Sequence, residues 1–186
     1  MGASAKLDQA AVLEAAFQVL DQAGLEGLSL RLVAERLGVQ APALYWHVHD
    51  KAELISLMAA TFSEAAAHAI LAGKTWREKL ILSASARRRA MLARRDSARV
   101  CVMARPVRSA AELAPQLTAP LVAAGLTAPQ ALSYQAAVIA YTVGWVAYEQ
   151  SQAMHAFLTQ LIDFDDSFAT GLHAMVSGLP AGEGRS

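Results

Sequence analysis

Apolar residues recur at helical spacing through almost the whole of this chain, and no stretch alternates in the way that a β-strand requires. The helical stretches are separated by residues that end or begin helices, among them Gly24, Gly38, Asp50, Gly73 and Pro106. Helices with apolar faces bury those faces by packing against one another. We therefore predict an all-α fold whose helix boundaries lie at these residues.

Caps and helix-breaking residues predict the individual helices. A first helix is expected over 7–23, and a short second helix begins after the N-cap residue Ser29 and ends before Gly38. Pro42 opens a third helix over 42–48, at a position that tolerates proline. The remaining helices are expected over 51–71, 75–94, 96–104, 110–124, 129–151 or beyond, and 163–176. The helix at 110–124 is expected to bend or begin again at Pro115 or Pro120.

Composition bounds the class of protein. A chain of 186 residues that is 55% hydrophobic and 17% charged suits one or two small domains with a substantial core, and it excludes disorder. One cysteine, Cys101, excludes an intrachain disulfide and a multi-cysteine metal site. No signal peptide is apparent, and the longest nearly apolar run, 136–148, is shorter than the roughly 18 residues that span a bilayer. We expect a cytoplasmic protein with no membrane partner.

The formal net charge of zero conceals a strong pattern along the chain. Residues 1–60 hold four basic and seven acidic side chains, a net charge of −3. Residues 61–110 hold eleven basic and three acidic side chains, a net charge of +8, and residues 111–186 carry −5. Overall charge therefore neither supports nor excludes a nucleic-acid partner, and that question depends on motifs.

The second and third predicted helices, joined by a short turn with a glycine, match the helix-turn-helix pattern, whose second helix reads bases in the major groove. Spacing alone leaves a helical corner without a DNA role as an equal alternative. Tyr45, Trp46 and His47 are consecutive on a short helix and cannot all face the core. Their hydroxyl, indole N–H and imidazole are suited to backbone phosphates.

Other residues near this turn add to the predicted nucleic-acid interface. Arg31 suits a guanine edge, Ala41 and Ala43 suit a thymine methyl, and Lys51 adds charge to a helix start that can hold a phosphate. Packing or solvation is the alternative for Arg31, Tyr45 and Lys51. The predicted DNA-binding residues are Ser29, Arg31, Ala41, Pro42, Ala43, Tyr45, Trp46, His47 and Lys51.

The first part of the chain resembles the DNA-binding domain of the TetR family of transcriptional repressors. The resemblance lies in residues 24–31, Leu-Gly-Val at 37–39, Ala-Leu-Tyr-Trp-His-Val at 43–48 and Lys51. Motifs farther along the chain resemble the regulatory domain of its tetracycline-repressor class: Trp76, Arg95-Asp96, Ala104-Arg105-Pro106, Gly125, Ala131-Leu132, Thr142-Val143-Gly144 and Glu149-Gln150.

The resemblance implies an all-helical homodimer. Its helix-turn-helix domain, at 1–50, binds a palindromic double-stranded operator. Its regulatory domain, at 51–178 with a connecting helix at 51–72, binds a small-molecule inducer, and the long helix near 129–151 pairs with the last helix in the dimer. The Gly/Pro-rich tail at 179–186 is expected to be disordered.

Members of the tetracycline-repressor class hold a tetracycline–magnesium complex with histidines and hydrogen-bonding side chains. Here the resemblance places Ala67, Ser83, Arg87, Cys101, Ala104 and Leu117 at the matching positions. A cysteine is a poor magnesium ligand, because that ion prefers oxygen. We predict no tetracycline–magnesium binding, no metal and no other cofactor, and we expect a small, mostly apolar inducer. Met103, Tyr134 and Tyr141 complete the predicted ligand-binding residues.

Two features admit more than one interpretation. The first is the set of arginines from Arg87 to Arg99. In one interpretation they form a solvated face with salt bridges to the acidic first domain. In the other, one of them, Arg87, enters the pocket and binds an anionic inducer. An aromatic stripe on the long helix is core, pocket wall or dimer face. The stripe is Tyr134, Tyr141, Trp145 and Tyr148, and the predicted dimer interface is Trp145, Tyr148, Phe168, Leu172 and Met175.

These observations together predict a dimeric DNA-binding repressor that a small ligand releases from its operator. One alternative is a helical small-molecule-binding protein that no longer binds DNA, in keeping with the acidic first 60 residues. The other is a small enzyme. Because no Ser/His/Asp set, paired carboxylates or Gly-rich phosphate loop stands out, we predict that the chain is not an enzyme.

Overall fold

The computed structural model describes residues 8–106 and 108–180, and over these ranges the chain forms ten α-helices and one 3₁₀ turn, with no strand. The predicted all-α fold is confirmed. The helices are α1 (Gln9–Gly27), α2 (Leu30–Leu37), α3 (Ala41–Leu44), α4 (Lys51–Ala69), α5 (Trp76–Leu92), α6 (Ser97–Met103), α7 (Ala110–Val122), α8 (Ala128–Gln150), α9 (Gln152–Leu158) and α10 (Phe164–Gly178), and the 3₁₀ turn is Ile70–Ala72.

Side-chain caps hold the starts of several helices. The side chains of Ser29, Asp50 and Thr127 each accept a hydrogen bond from the backbone N–H three residues later, at 3.3, 2.7 and 3.4 Å. These bonds satisfy donors that a helix start otherwise leaves unpaired. Gly38 ends α2 with φ at 67°, the left-handed conformation that favours glycine. The helix boundaries predicted at Ser29, Gly38 and Asp50 are confirmed.

Two helices near the start of the chain differ from their predicted lengths. Gly24, the predicted end of the first helix, is instead a kink with φ at 69° and ψ at 177°, after which the helix resumes as far as Gly27. The third helix ends at Leu44 rather than at residue 48. The Leu44 carbonyl accepts hydrogen bonds from the N–H groups of His47 and Val48, so a turn over residues 45–47 continues from the end of the helix.

Later helices also differ from prediction. α7 contains both Pro115 and Pro120 within one helix, so of the two expected alternatives, a bend or a restart, the restart does not occur. α9 was not predicted; it begins immediately after α8, where the Ser151 hydroxyl accepts a hydrogen bond from the Met154 N–H at 3.4 Å. The break between α8 and α9 is a single extended residue, Ser151, with ψ at 113°.

The described residues fall into two compact units. The first contains the residues up to Thr61 together with 94–106, and the second contains residues 62–93 and 108–180. This division differs from the expected domain boundary at residue 50. The first half of α4 and the whole of α6 belong with the helix-turn-helix segment, and α4 contributes residues to both units.

The first unit buries apolar side chains from α1, α2, α3 and the start of α4. The kink in α1 receives the segment that leads into α6, because the backbone N–H of Leu25 donates to Asp96 Oδ2 at 2.9 Å. Buried residues of this unit include Val12, Phe17, Leu20, Val33, Leu44, Val48, Leu54 and Met58. Burial of these side chains is the main source of stability in the unit.

The second unit has a core formed by α5, α7, α8 and α10. Trp76 and Tyr134 face each other with ring centroids 5.6 Å apart, and Tyr141 lies 5.4 Å from Phe168. The core residues include Ile70, Leu80, Leu121, Leu126, Val138, Phe168, Leu172 and Val176. The aromatic stripe of α8 is therefore largely core at Tyr134 and Tyr141.

The start of the predicted disordered tail is ordered. The carbonyl of Leu179 accepts a hydrogen bond from Arg77 Nη2 at 2.9 Å, and that of Pro180 accepts one from the Tyr134 hydroxyl at 2.9 Å. These two bonds fix residues 179 and 180 against α5 and α8. The remainder of that prediction, 181–186, lies outside the described residues.

Within the described ranges, one helical stretch, Lys51–Ala72, is long and apolar enough by length and composition to cross a membrane. Five of its apolar side chains, however, lie in protein cores. Leu54, Ile55, Met58, Phe62 and Ala66 are all at least 95% buried. These properties are typical of a core helix of a folded domain.

Candidate nucleic-acid interface and ligand cavity

Helices α2 and α3 are joined by residues 38–40, which gives the predicted helix-turn-helix arrangement. The N–H of Gly38 donates to the carbonyls of Ala34 and Glu35, so the end of α2 is closed before the turn. α2 buries Val33 and Ala34 and leaves Arg31 exposed at its start. The arrangement presents one side of the two short helices to solvent.

Two large aromatic side chains project from the end of α3. Leu44 and Val48 are completely buried, four residues apart on one face, while Tyr45 is 53% exposed and Trp46 is 90% exposed. The expectation that residues 45–47 do not all face the core is confirmed, with His47 half-buried. An indole so exposed gives little to the folded core, which is typical of a surface that receives a partner.

The other predicted DNA-binding residues divide between surface and structure. Pro42 is exposed, and Ala41 and Ala43 are half-buried beside it. The hydroxyl of Ser29 caps α2, and the ammonium of Lys51 donates to the carbonyl of Leu25 at 3.0 Å. The Lys51 charge is thus held at the kinked end of α1.

A short acidic contact sits at the start of α4. Glu53 Oε2 accepts hydrogen bonds from the backbone N–H of His49 at 2.6 Å and lies 2.8 Å from the His49 ring. The backbone hydrogen bond, followed by the one from the ring, lowers the pKa of Glu53 below its ordinary value. The carboxylate therefore stays ionised, and it stabilises the helix start that follows the exposed aromatics.

Two arginines of the basic middle segment, Arg94 and Arg99, bind acidic residues of α1. Arg94 pairs with Glu14 at 2.8 Å and with Asp21 at 3.2 Å, and its guanidinium lies 4.7 Å from the ring centre of Phe17. Arg99 pairs with Glu26. For these residues, salt bridges to the acidic first domain are the correct interpretation. All of them lie within the first unit.

The second unit contains a cavity of about 250 Å³ between α4, α5, α7 and α8. Four predicted ligand-binding residues line it: Ala67, Ser83, Arg87 and Leu117. Its walls are mainly apolar, with contributions from Ala66, Ile70, Leu80, Ala84 and Val138. The structure thus brings together lining residues from four helices, and the first and last of these residues, Ser63 and Ile139, are 76 positions apart in the sequence.

Several polar residues of the cavity were missed from the sequence. Ser63 lies four residues before Ala67 on α4, so helical spacing alone would have placed it on the same face. It accepts a hydrogen bond from Arg87 Nη1 at 3.1 Å. Gln116 and Gln135 also line the cavity, but no motif in the sequence distinguishes them from other surface glutamines.

Five predicted ligand-binding residues do not line this cavity. Tyr134 and Tyr141 lie in the core of the second unit, where their hydroxyls donate to the carbonyls of Pro180 and Phe168. Burial raises the pKa of the Tyr141 phenol, against the charge of Arg88, so its hydroxyl remains a donor. The others, Cys101, Met103 and Ala104, belong to the first unit.

The five predicted interface residues differ in what they expose. Phe168 and Leu172 are 3% and 1% exposed within their own chain, so they have almost no surface to offer a partner. Tyr148 is 49% exposed, and Trp145 and Met175 are half-buried. The indole N–H of Trp145 is buried without an acceptor among the described residues. The exposed part of this set is therefore Trp145, Tyr148 and Met175.

Comparison with known proteins assigns the same two parts. A family model described as "Bacterial regulatory proteins, tetR family" matches residues 12–58, and one described as "Tetracyclin repressor-like, C-terminal domain" matches residues 71–159. The tetracycline repressor protein class A from transposon 1721 of Escherichia coli is 39% identical over 148 residues, which are 78% of this chain and 68% of that protein.

Solved structures agree in fold. The crystal structure of TetR from Acinetobacter baumannii AYE has a TM-score of 0.75 and 32% identity, covering 93% of this chain and 96% of that one. TetR (class A) in complex with 5a,6-anhydrotetracycline and magnesium has a TM-score of 0.72 and 34% identity, covering 90% and 95%. Family models match both parts of the chain, and relatives match it in sequence and in fold. The chain therefore belongs to the TetR family and is a transcriptional regulator of that family.

Proposed function

We propose that this protein is a cytoplasmic, homodimeric repressor that binds a palindromic double-stranded operator. A small, mostly apolar molecule that enters the cavity of the second unit releases it from the DNA. The single observation that carries the DNA-binding part is the exposure of Trp46 and Tyr45 beside the fully buried Leu44 and Val48. Buried anchors on both sides give the two aromatics a fixed position from which to contact a DNA backbone.

The DNA-reading surface in this proposal consists of Arg31, Pro42, Tyr45 and Trp46, supported by the cap at Ser29 and by Lys51. Arg31 has the reach for a guanine edge, and Pro42 with its neighbouring alanines suits a thymine methyl. A dimer doubles these few contacts on the two half-sites of a palindrome, about 34–36 Å apart. Affinity then falls with salt according to a small number of phosphate contacts.

The ligand part of the proposal is supported by the cavity between α4, α5, α7 and α8. Its volume of about 250 Å³ lies just below the roughly 300–1,000 Å³ of sites for drug-sized ligands. The described residues that line it include no carboxylate, the oxygen ligand by which protein side chains usually hold magnesium, and no imidazole. The lining therefore does not fit a ligand bound together with magnesium, such as the 5a,6-anhydrotetracycline and magnesium in the TetR (class A) structure.

Helix α4 is the proposed connection between ligand and DNA. It contributes residues to both compact units, and Ser63, Ala66 and Ala67 in its second half line the cavity. A ligand that binds one arrangement of α4 more tightly shifts the population toward that arrangement. Release follows when the favoured arrangement no longer matches two successive major grooves.

The test is binding of the purified protein to DNA from upstream of its own gene, measured by gel shift at low salt. We expect a shift that depends on sequence, and at least tenfold weaker binding by Trp46→Ala. Phe157→Ala is the matched control, because Phe157 is also an exposed aromatic, at 58%, outside the helix-turn-helix. Its DNA affinity should equal that of the wild type.

Oligomeric state is measured on the same sample by analytical ultracentrifugation. The expected species has twice the chain mass of 19.7 kDa, and Tyr148→Glu should shift it toward the monomer. If a folded dimer gives no shift at low salt, the DNA-binding proposal is wrong and the protein is a ligand-binding relative that has lost its operator.

A further inference from the structure

The cavity of the second unit carries one formal charge. Among the described residues that line it, Arg87 is the one charged side chain, and the lining contains no Asp or Glu. Arg87 is half-buried on α5, and its Nη1 donates to the Ser63 hydroxyl of α4 at 3.1 Å. The lining therefore presents a cation and a neighbouring hydroxyl to whatever occupies the cavity.

The other polar side chains of the cavity add no negative charge. The Ser83 hydroxyl donates to the Leu80 carbonyl at 3.0 Å, and the Gln135 amide donates to the Leu117 carbonyl at 2.6 Å. Gln116 accepts a hydrogen bond from Arg108 at 3.1 Å, which brings a second guanidinium to its amide oxygen. The electrostatic character of the lining is positive.

Much of the remaining lining consists of apolar side chains that are firmly packed. Ala66, Ile70, Leu80, Ala84 and Val138 are each at least 94% buried. These side chains belong to three helices and to the 3₁₀ turn, so the wall is built before a ligand arrives. A cationic group facing a preformed apolar wall is suited to an amphiphilic ligand with an anionic head.

We propose that the cavity binds a small amphiphilic monocarboxylate. Its carboxylate meets the Arg87 guanidinium with help from the Ser63 hydroxyl, and its hydrocarbon part packs on Ile70, Leu80 and Val138. A neutral ligand of the same shape would bury the guanidinium further without supplying a charged acceptor. A carboxylate accepts charge-assisted hydrogen bonds from the guanidinium, whereas an ammonium group is repelled by its positive charge.

This inference rests on the proposed function only in using the same cavity, and it assigns the chemical class of the ligand. It predicts selectivity by charge among molecules of equal shape. Size limits the class as well, because a cavity of about 250 Å³ favours ligands smaller than a drug-sized molecule.

The test is isothermal titration of the full chain with two matched series. One is octanoate, 1-octanol and octylamine, and the other is 3-phenylpropanoate and 3-phenylpropanol. We expect at least one acid to bind about 10- to 100-fold more tightly than its alcohol, with octylamine the weakest of its series. The comparison needs no substitution, so it does not depend on a variant that folds.

Variants of α5 then identify the group responsible. Arg87→Gln should lower the affinity for the acid to that for its alcohol and leave the alcohol within about twofold, and Arg87→Lys should keep part of the preference. Arg89→Gln is the matched control, since Arg89 is an exposed arginine of the same helix that does not line the cavity. It should leave both affinities unchanged.

The inference is overturned if neither acid binds more tightly than its alcohol, or if the preference survives Arg87→Gln. Release of DNA is measured separately in the gel shift. An acid that binds through Arg87 but leaves the DNA complex intact contradicts the proposed function and not this inference. Release by the alcohols alone contradicts this inference and not the proposed function.

Discussion

Arg88 and Glu149 join α5 to α8 through a two-point ion pair, with Nε donating to Oε1 at 2.8 Å and Nη2 to Oε2 at 2.7 Å. Both side chains are about nine-tenths buried. Arg88 also pairs with Asp165 of α10 at 2.6 Å and lies 4.7 Å from the ring centre of Phe168. Burial by itself lowers the pKa of Arg88, but hydrogen bonds to Glu149 and Asp165 outweigh burial and raise it.

Removal of Glu149 should therefore be costly. Glu149→Leu leaves the Arg88 cation buried without its main partner, and we expect the free energy of unfolding to fall by about 3–5 kcal/mol in urea denaturation. Asp165→Asn should cost less than about 1 kcal/mol, because the Asp165 side chain is 86% exposed. The double variant Arg88→Met/Glu149→Leu should recover most of the loss. Equal costs at Glu149 and Asp165 would contradict this account.

Gly171 permits the close packing of α10 on α8. A Cβ at this position would overlap the Tyr141 hydroxyl, which donates to the Phe168 carbonyl at 3.0 Å. We expect Gly171→Ala to cost about 1–3 kcal/mol by overpacking, despite the better helix propensity of alanine. In a Tyr141→Phe background the same change should cost less, since the overlapping oxygen is gone.

Gly144 of α8 provides the matched control for Gly171. Nothing lies within 4 Å of a Cβ built there. Gly144→Ala should therefore raise stability by about 0.5–1 kcal/mol, as expected for an exposed helix interior. Thermal unfolding of five proteins tests both expectations: the wild type, Gly171→Ala, Tyr141→Phe, the Tyr141→Phe/Gly171→Ala double variant and Gly144→Ala. A similar effect at the two glycines would refute the packing argument.

Stability should depend on pH through Glu53. Its pKa is lowered in the folded chain by the His49 N–H, so its contribution is present above the unfolded value of about 4.5 and disappears as pH falls through the lower folded value. Glu53→Gln should thus be less stable than the wild type at pH 7, and the difference should shrink below pH 4.5. Urea denaturation at several pH values measures this, with Glu64→Gln, an exposed site on the same helix, as the control.

Arg94 should contribute to stability partly through charge. Arg94→Ala removes contacts with Glu14, Asp21 and Phe17, and we expect a loss of about 1–2 kcal/mol. Because the ion pairs are partly exposed, the loss should diminish as salt rises. Arg89→Ala, at an exposed arginine on α5, should have little effect at any salt concentration. A loss at Arg94 that does not change with salt would assign its role to packing alone.

Local chemistry made much of the fold predictable. Caps such as Ser29 and Thr127 and the left-handed Gly38 act within one helical turn, so their effects can be read without the tertiary structure. The kink at Gly24 could not be predicted in this way. The N–H of Leu25, the next residue, donates to Asp96, which lies 71 residues farther along the chain. Similarly, α9 follows α8 after a break of one residue, Ser151, which carries no strong breaking signal.

The candidate sites were predictable to different extents. Tyr45 and Trp46 are neighbours in sequence, so their exposure followed from helix geometry. The cavity joins four distant helices, and only the faces of Ala67, Ser83, Arg87 and Leu117 were anticipated. The buried arginine of α5 was expected at Arg87, but Arg88 is the more buried, because its carboxylate partners on α8 and α10 are remote in sequence.

The salt bridges between α1 and the α6 segment also change how charge is distributed in space. Over the described residues the first unit has seven basic and eight acidic side chains, and the second has seven of each. The segments of the sequence thus differ strongly in net charge, whereas each folded unit is nearly neutral. With so little net field, the operator binding proposed above gains little from long-range attraction to DNA, so the association rate should be modest and the residence time should decide occupancy.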